Sequence, residues 1–549
     1  MLSSITLQGN TLPLFHEVHE DDRLLLNTLN GEWFNILYYL PWEDYRSIAA
    51  CYYDALYDFN LNEQKKRTER ERKALLERDD EESELEVSET KEEAKQRLLF
   101  GRATMQSAAD KASAQIIYQD NVAELKPSRI NPLDLSPDVV PIRFVGRKPK
   151  CFFSLFKSFI GTTLMGFPAE PEKVFQLLSS NPSFARVCGF SPKYNDRPDD
   201  YHYQQIPSLR KLEQFDQIMT QAGLWELIKV AEVTKNFSEG VIKPENEMVG
   251  DTTHYHAYSG FETVHYETKQ GTKKKKSQSK MTKKCHCSDR EKCEHEWELA
   301  DDGAGTIVKA HNKMYWGHKA SVLGLPEQGI AIDAVAIKDG ATHDGKTFYP
   351  HVEKVFKQYP DLSISINRVL YDSACDDAAL KKQFKEELGV DLKASFNPRR
   401  TKAITEDLPR GMERITAWGV PICQAGHEMD YQGMRYANET FIYTAPLNEQ
   451  KESVCLDCEK RTGCCNASTQ SGRRVTVSFD TLPQIDANDP PMSKRFKAIM
   501  KRRPSVERMI KRLKCDLGDD RLSKRGNKAF QAYLDKTMIA YHLLLHYLH

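Results

Sequence analysis

No stretch of this 549-residue chain approaches the roughly 18 consecutive uncharged apolar residues that cross a bilayer. The start, MLSSITLQGNTLPLF, lacks a basic head followed by a long apolar run, so a secretory leader is not expected either. A soluble, cytoplasmic chain follows as the expectation. Charge of one sign is scarce too: the net charge is only −1, which alone argues against a polyanionic partner, because phosphates are held by Lys and Arg. That average conceals segregation. Acid gathers between Asp79 and Glu93, whereas Lys494 to Lys514 holds ten Lys or Arg and a single acid, Glu507, an asymmetry that fits a polyanion site.

What the chain does have is material for several cores. At 40% apolar and 29% charged it is globular in composition, and it far exceeds one domain of roughly 100 to 200 residues, so two to four units are expected. Thirteen cysteines in a reducing compartment do not suggest a disulfide framework. Eight of them fall into two groups with nearby His, whereas Cys51, Cys151, Cys188, Cys375 and Cys515 are isolated and expected to be buried packing residues.

Texture divides the chain. Residues 1–147 read as a helical region with a charged helical insertion, EQKKRTERERKALLERDDEESELEVSETKEEAKQRLL, and a proline-bearing linker; the insertion lacks the apolar seam of a coiled coil and reads as a solvated helix. Residues 148–240 read as a second helical unit, a candidate for contact with DNA. From 241 to 400 short strands take over: EMVGDTTHY, KMYWGHKASVL and GIAIDAVAIKD, then a helix over roughly Lys346 to Gln358, the strand INRVLYD, the helix DDAALKKQFKEEL and the strand VDLKASF. An antiparallel start followed by a parallel finish is the element order of an RNase H-like mixed sheet with flanking helices. A Lys- and Cys-rich insertion at 259–311 interrupts it, a strand-rich, Cys-rich insertion at 401–490 follows, and helices at 491–549 close the unit. The expected fold class is therefore α/β, with a zinc-binding insertion and all-helical units in front.

In a sheet of this order the first and fourth strands are neighbours, so Asp251 in VGDTTHY and Asp372 at the end of INRVLYD can meet. Glu507 lies on a basic helix, with Arg503 four residues before and Lys514 seven after, offsets that put all three on one helix face. Any one of these acids alone is more often a turn, cap or ion-pair residue, and Asp376 or Asp377 reads as the cap of the next helix. The combination selects a different chemistry. Breaking a phosphodiester needs an activated oxygen nucleophile and charge stabilisation on attacking and leaving oxygens, which two metal ions about 3.5 to 4 Å apart supply, held by carboxylates.

The pattern resembles the DDE transposases of bacterial insertion sequences, in the branch with a Tyr, Arg, Glu, Lys signature around its last acid. Arg503, Glu507 and Lys514 match that signature, and Met500 stands at its Tyr position. WGHKASVL, THDGKTF and VLYDSACDD are also similar to the family's core, so the resemblance runs over roughly residues 150 to 549. It implies Asp251, Asp372 and Glu507 as ligands of Mg²⁺ or Mn²⁺, with Arg503, Lys514, Lys511 and Arg502 on DNA phosphates. It also implies strand cleavage and strand transfer on double-stranded DNA, terminal inverted repeats and target alike, by a homodimer in the bacterial nucleoid.

Of the cysteine groups, Cys455 and Cys458 form a C-x2-C pair followed by Cys464 and Cys465, with Cys423 and His427 upstream, a set that suits structural zinc. The second group, Cys285, Cys287, Cys293 and His295, has the ligand types but no C-x2-C pair, and sits beside the run KKKKSQSKMTKK, which reads as a zinc-pinned finger on DNA or as a solvated loop. His254 and His256 form a His-x-His found in zinc hydrolases, without the eightfold βα alternation those enzymes need. Two rivals to a transposase follow from the residues: a relative that holds DNA without cutting it, and a zinc hydrolase of small molecules.

Overall fold

A computed structural model describes residues 32–83, 129–135, 149–191, 204–268, 270–283, 285, 287, 289–310, 313–397, 402–465, 472–482, 485–486 and 488–549. The opening segment, the second half of the charged stretch and most of the proline-bearing linker lie outside the described residues.

The helices before the sheet build one core. They are α1 (Glu32–Tyr39), α2 (Arg46–Ser83), α3 (Phe152–Leu164), α4 (Pro171–Ser180), α5 (Pro182–Cys188), α6 (Leu209–Gln221) and α7 (Leu224–Ser238). Its centre is aromatic: Tyr52, Phe152, Phe156, Phe159, Phe215 and Trp225 meet at ring centroid distances of 5.1 to 6.2 Å, Phe152 stacked on Phe156 and the other pairs edge-on or tilted. Helices from either side of residue 147 thus share one interior. The charged stretch does not start a new element. It prolongs α2, whose first turns bury Ala49, Ala50, Tyr53 and Leu56, while further on Lys66 pairs with Glu63 and Arg67 with Glu71 in solvent.

The second body is a mixed α/β layer. Its sheet contains β1 (Glu247–His256), β6 (Gly305–Ala310), β7 (Lys313–Leu325), β8 (Ile330–Ile337), β9 (Arg368–Tyr371) and β10 (Asp391–Ala394), with α8 (Phe348–Gln358), α9 (Pro360–Ser365) and α10 (Ala378–Glu387) in the crossovers. The order is β8-β7-β1-β9-β10, with β6 beside β7; β7 runs antiparallel to β1 and β8, whereas β9 runs parallel to β1 and β10. The insertion after β1 contributes a hairpin of β2 (Phe261–Glu267) and β3 (Lys273–Ser279), then the short pair β4 (Met281–Thr282) and β5 (Glu298–Leu299). The start of the lysine run, read above as part of a zinc-pinned finger or as a solvated loop, is a paired strand. The later insertion holds β11 (Met412–Ile415), β12 (Pro421–Cys423), β13 (Asp430–Arg435), β14 (Thr440–Thr444) and β15 (Arg474–Ser478), with a short turn of helix α11 (Arg461–Cys464) and its own small core around Phe441, Tyr443, Val475 and Val477.

Three helices close the chain: α12 (Lys494–Met500), α13 (Ser505–Lys511) and α14 (Asn527–Leu548). The last joins the two bodies. Ala532, Ile539, Ala540 and Leu543 enter the aromatic core, while Phe530, Leu534, Met538 and Tyr541 enter the sheet core, so α14 is apolar on two sides and buried between layers. Of the isolated cysteines, Cys151, Cys188 and Cys375 are buried as expected, Cys51 is half-buried, and Cys515 is exposed because it follows the end of α13 rather than facing a core.

Candidate active site

Register explains why two distant aspartates become neighbours. Val249 of β1 lies opposite Leu370 of β9 in a parallel pair, and Asp251 and Asp372 each stand two residues further on. Equal offsets on adjacent parallel strands put both on one face at one height. Gly250 allows the other face to close: a Cβ there would meet the Phe348 ring of α8 at 2.4 Å, so a side chain would push α8 off the sheet. Asp372 leaves the strand as the cap of a short turn, accepting from the Ala374 N–H at 2.9 Å, and Asp251 accepts from the Thr252 N–H at 2.8 Å. Asp377, not Asp376, caps α10, taking the Leu380 N–H at 3.1 Å.

A fourth acid joins them that sequence reasoning missed. Asp344 precedes α8, takes a hydrogen bond from Thr252 Oγ1 at 3.1 Å and is ion-paired to Lys319 of β7. It lies in THDGKTF, a segment noted above only as a whole. The Tyr371 hydroxyl is buried beside these carboxylates and has no hydrogen-bond partner among the described residues.

Glu507 approaches from α13, which packs on β1. The single basic helix expected here is broken: Pro504 cannot donate an N–H, so α13 starts at Ser505 and Arg503 lies in the turn before it. Arg503 still reaches Glu507, at 2.8 Å, and its other nitrogen meets Asp251 at 2.6 Å. One guanidinium thus bridges two of the three expected ligands, and the acids do not close on a common point: among the described residues no group including them has all its ligand atoms within 4.8 Å. The Arg503 Nε is buried without an acceptor among the described residues. Arg502, though exposed, pairs with Glu247 at 2.8 Å, and Lys514 donates to the His254 carbonyl while its ammonium sits 5.0 Å from the Tyr255 ring centroid. Lys511 is exposed, and Met500, at the signature's Tyr position, packs against the sheet core.

Burial pushes the Asp251 carboxyl up to about 6; Arg503 and the Thr252 N–H oppose that rise, and the charges of Asp372 and Asp344 add to it. By their ion pairs, four carboxylates, Asp251, Asp344, Asp372 and Glu507, face two cations, Arg503 and Lys319, among the described residues. Oxygen-only donors, an acid excess and an arginine spanning two carboxylates fit a hard divalent cation.

Residues 422–543 match the family model described as a transposase DDE domain. This chain carries a transposase DDE domain. The matched span of the transposase domain includes Glu507 with Arg503 and Lys514, and all five cysteines of the later insertion; Asp251, Asp344 and Asp372 precede it. A DDE domain works with divalent metal ions and confers a transposase-type function. Among curated proteins none matches the chain. Among solved structures it is similar to a piggyBac transposase synaptic complex with hairpin DNA seen by cryo-electron microscopy, at a TM-score of 0.31 and 10% identity over 76% of this chain and 69% of that one. Among the described residues no helix of the chain is long and apolar enough to cross a membrane.

The two cysteine groups behave differently. Cys423, His427, Cys455, Cys458, Cys464 and Cys465 line one concave pocket with Gly411 and Arg473, without gathering into a compact ligand set. Cys285, Cys287, Cys293 and His295 do gather, all four ligand atoms lying within 4.8 Å of one another. His254 and His256 alternate with Asp251 along β1, on the face of Thr252 and Lys319, and both rings contact Tyr315.

Proposed function

We propose that this chain is an insertion-sequence transposase with an RNase H-like core, cutting DNA at element ends and joining the freed 3′ hydroxyl to a second strand. The observation that carries the reading is the equal offset of Asp251 and Asp372 on adjacent parallel strands, in a site whose acids outnumber its cations, with Glu507 tethered to it through Arg503. Asp251, Asp372 and Glu507 would hold Mg²⁺ or Mn²⁺, and Asp344 stands beside them. When bound, the ions supply a water-derived nucleophile near neutral pH and stabilise charge on the leaving oxygen.

The chain's own residues prepare that step. Arg503 holds Asp251 and Glu507 toward each other and is the cation placed beside the position a phosphate would take. Lys511, exposed on α13, adds a sequence-independent backbone contact. Arg502 and Lys514 act through structure instead: the first ties the turn before α13 to β1 and the second ties the segment after α13 to β1. Double-stranded DNA is the partner in this reading, with two copies of the chain pairing two ends. Cys455, Cys458, one of Cys464 or Cys465, and Cys423 or His427 would hold structural zinc in the later insertion, closing the pocket they line.

The test is incubation of the purified chain with the inverted repeats flanking its gene and Mg²⁺, comparing wild type with Asp251→Asn and Glu507→Gln. Nicked and joined products from wild type alone support the reading. Equal products from the Asp251→Asn variant sink it, and tight binding by wild type with no cleavage would favour a DNA-holding relative.

A further inference from the structure

The compact cysteine group belongs to a part of the molecule with little else to hold it. Between β4 and β5 the chain loops out from Lys283 to Trp297, and none of the described residues of that loop belongs to any of the hydrophobic cores. Trp297 is half exposed, and Lys292 and Asp289 make only a surface ion pair. A loop of this size without apolar burial does not by itself offset the entropy of fixing it in one shape.

The ligand spacing supplies what burial does not. Cys285 Sγ lies 3.6 Å from Cys293 Sγ, and Cys287 Sγ lies 3.6 Å from His295 Nδ1. In a tetrahedral zinc site with Zn–S about 2.3 Å and Zn–N about 2.05 Å, the S···S edge is about 3.8 Å and the S···N edge about 3.6 Å. A disulfide would need about 2.05 Å between sulfurs. The backbone is already folded around the centre: Lys283 Nζ donates to the Cys293 carbonyl at 2.6 Å, and Asp289 Oδ1 accepts from the Glu291 and Lys292 N–H groups at 3.1 and 3.3 Å.

We propose that Cys285, Cys287, Cys293 and His295 bind one zinc ion in a closed, structural S₃N site, a metal centre separate from the carboxylate cluster. All four positions are taken by protein, which leaves no opening for water and so no catalytic role. The site fixes a knuckle at the foot of the β2–β3 hairpin: Ser279, the last residue of β3, takes the Asp301 N–H at 2.8 Å, and the Lys280 carbonyl takes the Ala300 N–H at 2.8 Å. The pitch of the hairpin that carries Lys273 is set from there.

The test uses the full chain purified without added metal. Zinc is counted by elemental mass spectrometry in wild type, in a Cys285→Ser, Cys293→Ser double variant and in a Cys455→Ser, Cys458→Ser double variant. The first double variant should contain one equivalent less than wild type whatever the second contains; an unchanged count overturns the proposal. A second measurement does not depend on how a variant folds. In wild type, alkylation of Cys285, Cys287 and Cys293 followed by peptide mass spectrometry should be slow, and should accelerate together at least tenfold when a strong zinc chelator is added. Alkylation at one rate with and without chelator overturns the proposal, as does a Cys285–Cys293 disulfide in the native chain. Neither result bears on cleavage by the carboxylates, so failure here and failure of the transposase reading are distinguishable.

Discussion

Two clusters of charge flank the sheet and are built on opposite plans. Where α7, β8, α8 and α14 meet, Lys229 is wholly buried between Asp333 at 2.5 Å and Asp535 at 3.1 Å, and Lys354 reaches Glu226 at 2.5 Å. A little further along α14, Asp216 takes both Lys524 and Lys536. Together these are four acids against four lysines. On the strand-end face, Asp251, Asp344, Asp372 and Glu507 meet only Arg503 and Lys319. Buried charge persists in a protein when it is matched, and the matched group joins the helical core to the sheet. An unmatched acid group beside it is held in place by the backbone and is completed by something from outside. Charge balance, more than the presence of charge, separates a joint from a site.

The largest effect expected is at the unmatched cluster. Asp251→Asn should cut strand cleavage by on the order of 10⁴-fold, about 5.5 kcal/mol of transition-state stabilisation, while leaving the thermal midpoint level or slightly higher because one of several crowded, part-buried acids is gone. A cleavage assay and a melt on the same sample check both halves; a fall in the midpoint comparable to a core truncation would place Asp251 with the joint. Lys229→Met should do the reverse. It strands Asp333 and Asp535 without their cation and should cost about 3–5 kcal/mol in urea unfolding. Replacing Lys229, Asp333 and Asp535 together by apolar residues should recover most of that loss, and failure to recover would mean that the ions are fixing geometry that packing alone does not.

The sheet was legible before any coordinates because its signals are local and periodic: β-branched strands such as GIAIDAVAIKD, a capped helix after VLYDSACDD, and two acids whose neighbours follow from strand order. Asp344 was not legible, since it stands in a turn with no period and acquires meaning only where Thr252 and Lys319 bring it to Asp251. The break in the basic helix was written in Pro504 and was outweighed by the spacing of Arg503, Glu507 and Lys514, which the turn happens to preserve. For the cysteines, spacing favoured the group with a C-x2-C pair, whereas the compact ligand set forms around Cys285, where a two-strand bridge brings both ends of the loop together. Short spacing measures how one turn presents two ligands; it is silent on what strand pairing adds.

Acid should loosen the joint well before it unmakes the sheet. His542 is wholly buried; burial holds its imidazole down to about 3, against the pull of the Ala331 carbonyl that accepts from Nε2 at 3.0 Å. A base whose folded value is depressed contributes its stability above the unfolded value of about 6.5 and loses it as pH falls toward the folded one, at about 1.4 kcal/mol per unit. By pH 5 the loss should be about 2 kcal/mol. Asp333 acts in the same direction lower down: burial opposes ionisation, but Lys229 and Lys354 outweigh it and hold the carboxyl well below its ordinary value, so its share is lost as pH falls through the folded value. Urea midpoints from pH 7 to 5 should slope for wild type and flatten for His542→Gln; parallel slopes would remove His542 from the account.

The smallest effect belongs to the exposed rim of the site. Lys511 touches neither cluster, so Lys511→Ala should leave the melt unchanged and lower affinity for every DNA duplex alike, by less than about tenfold at moderate salt. Its signature is the salt dependence: the slope of log affinity against log salt should fall by about one for one lost phosphate contact. Arg502→Ala, whose guanidinium is engaged by Glu247 and Glu327, should instead lower the melt and leave the salt slope nearly as it was. An exchange of those two outcomes would mean that the ion pairs of Arg502 open when DNA arrives, and that the boundary between joint and site runs through the turn before α13 rather than beside it.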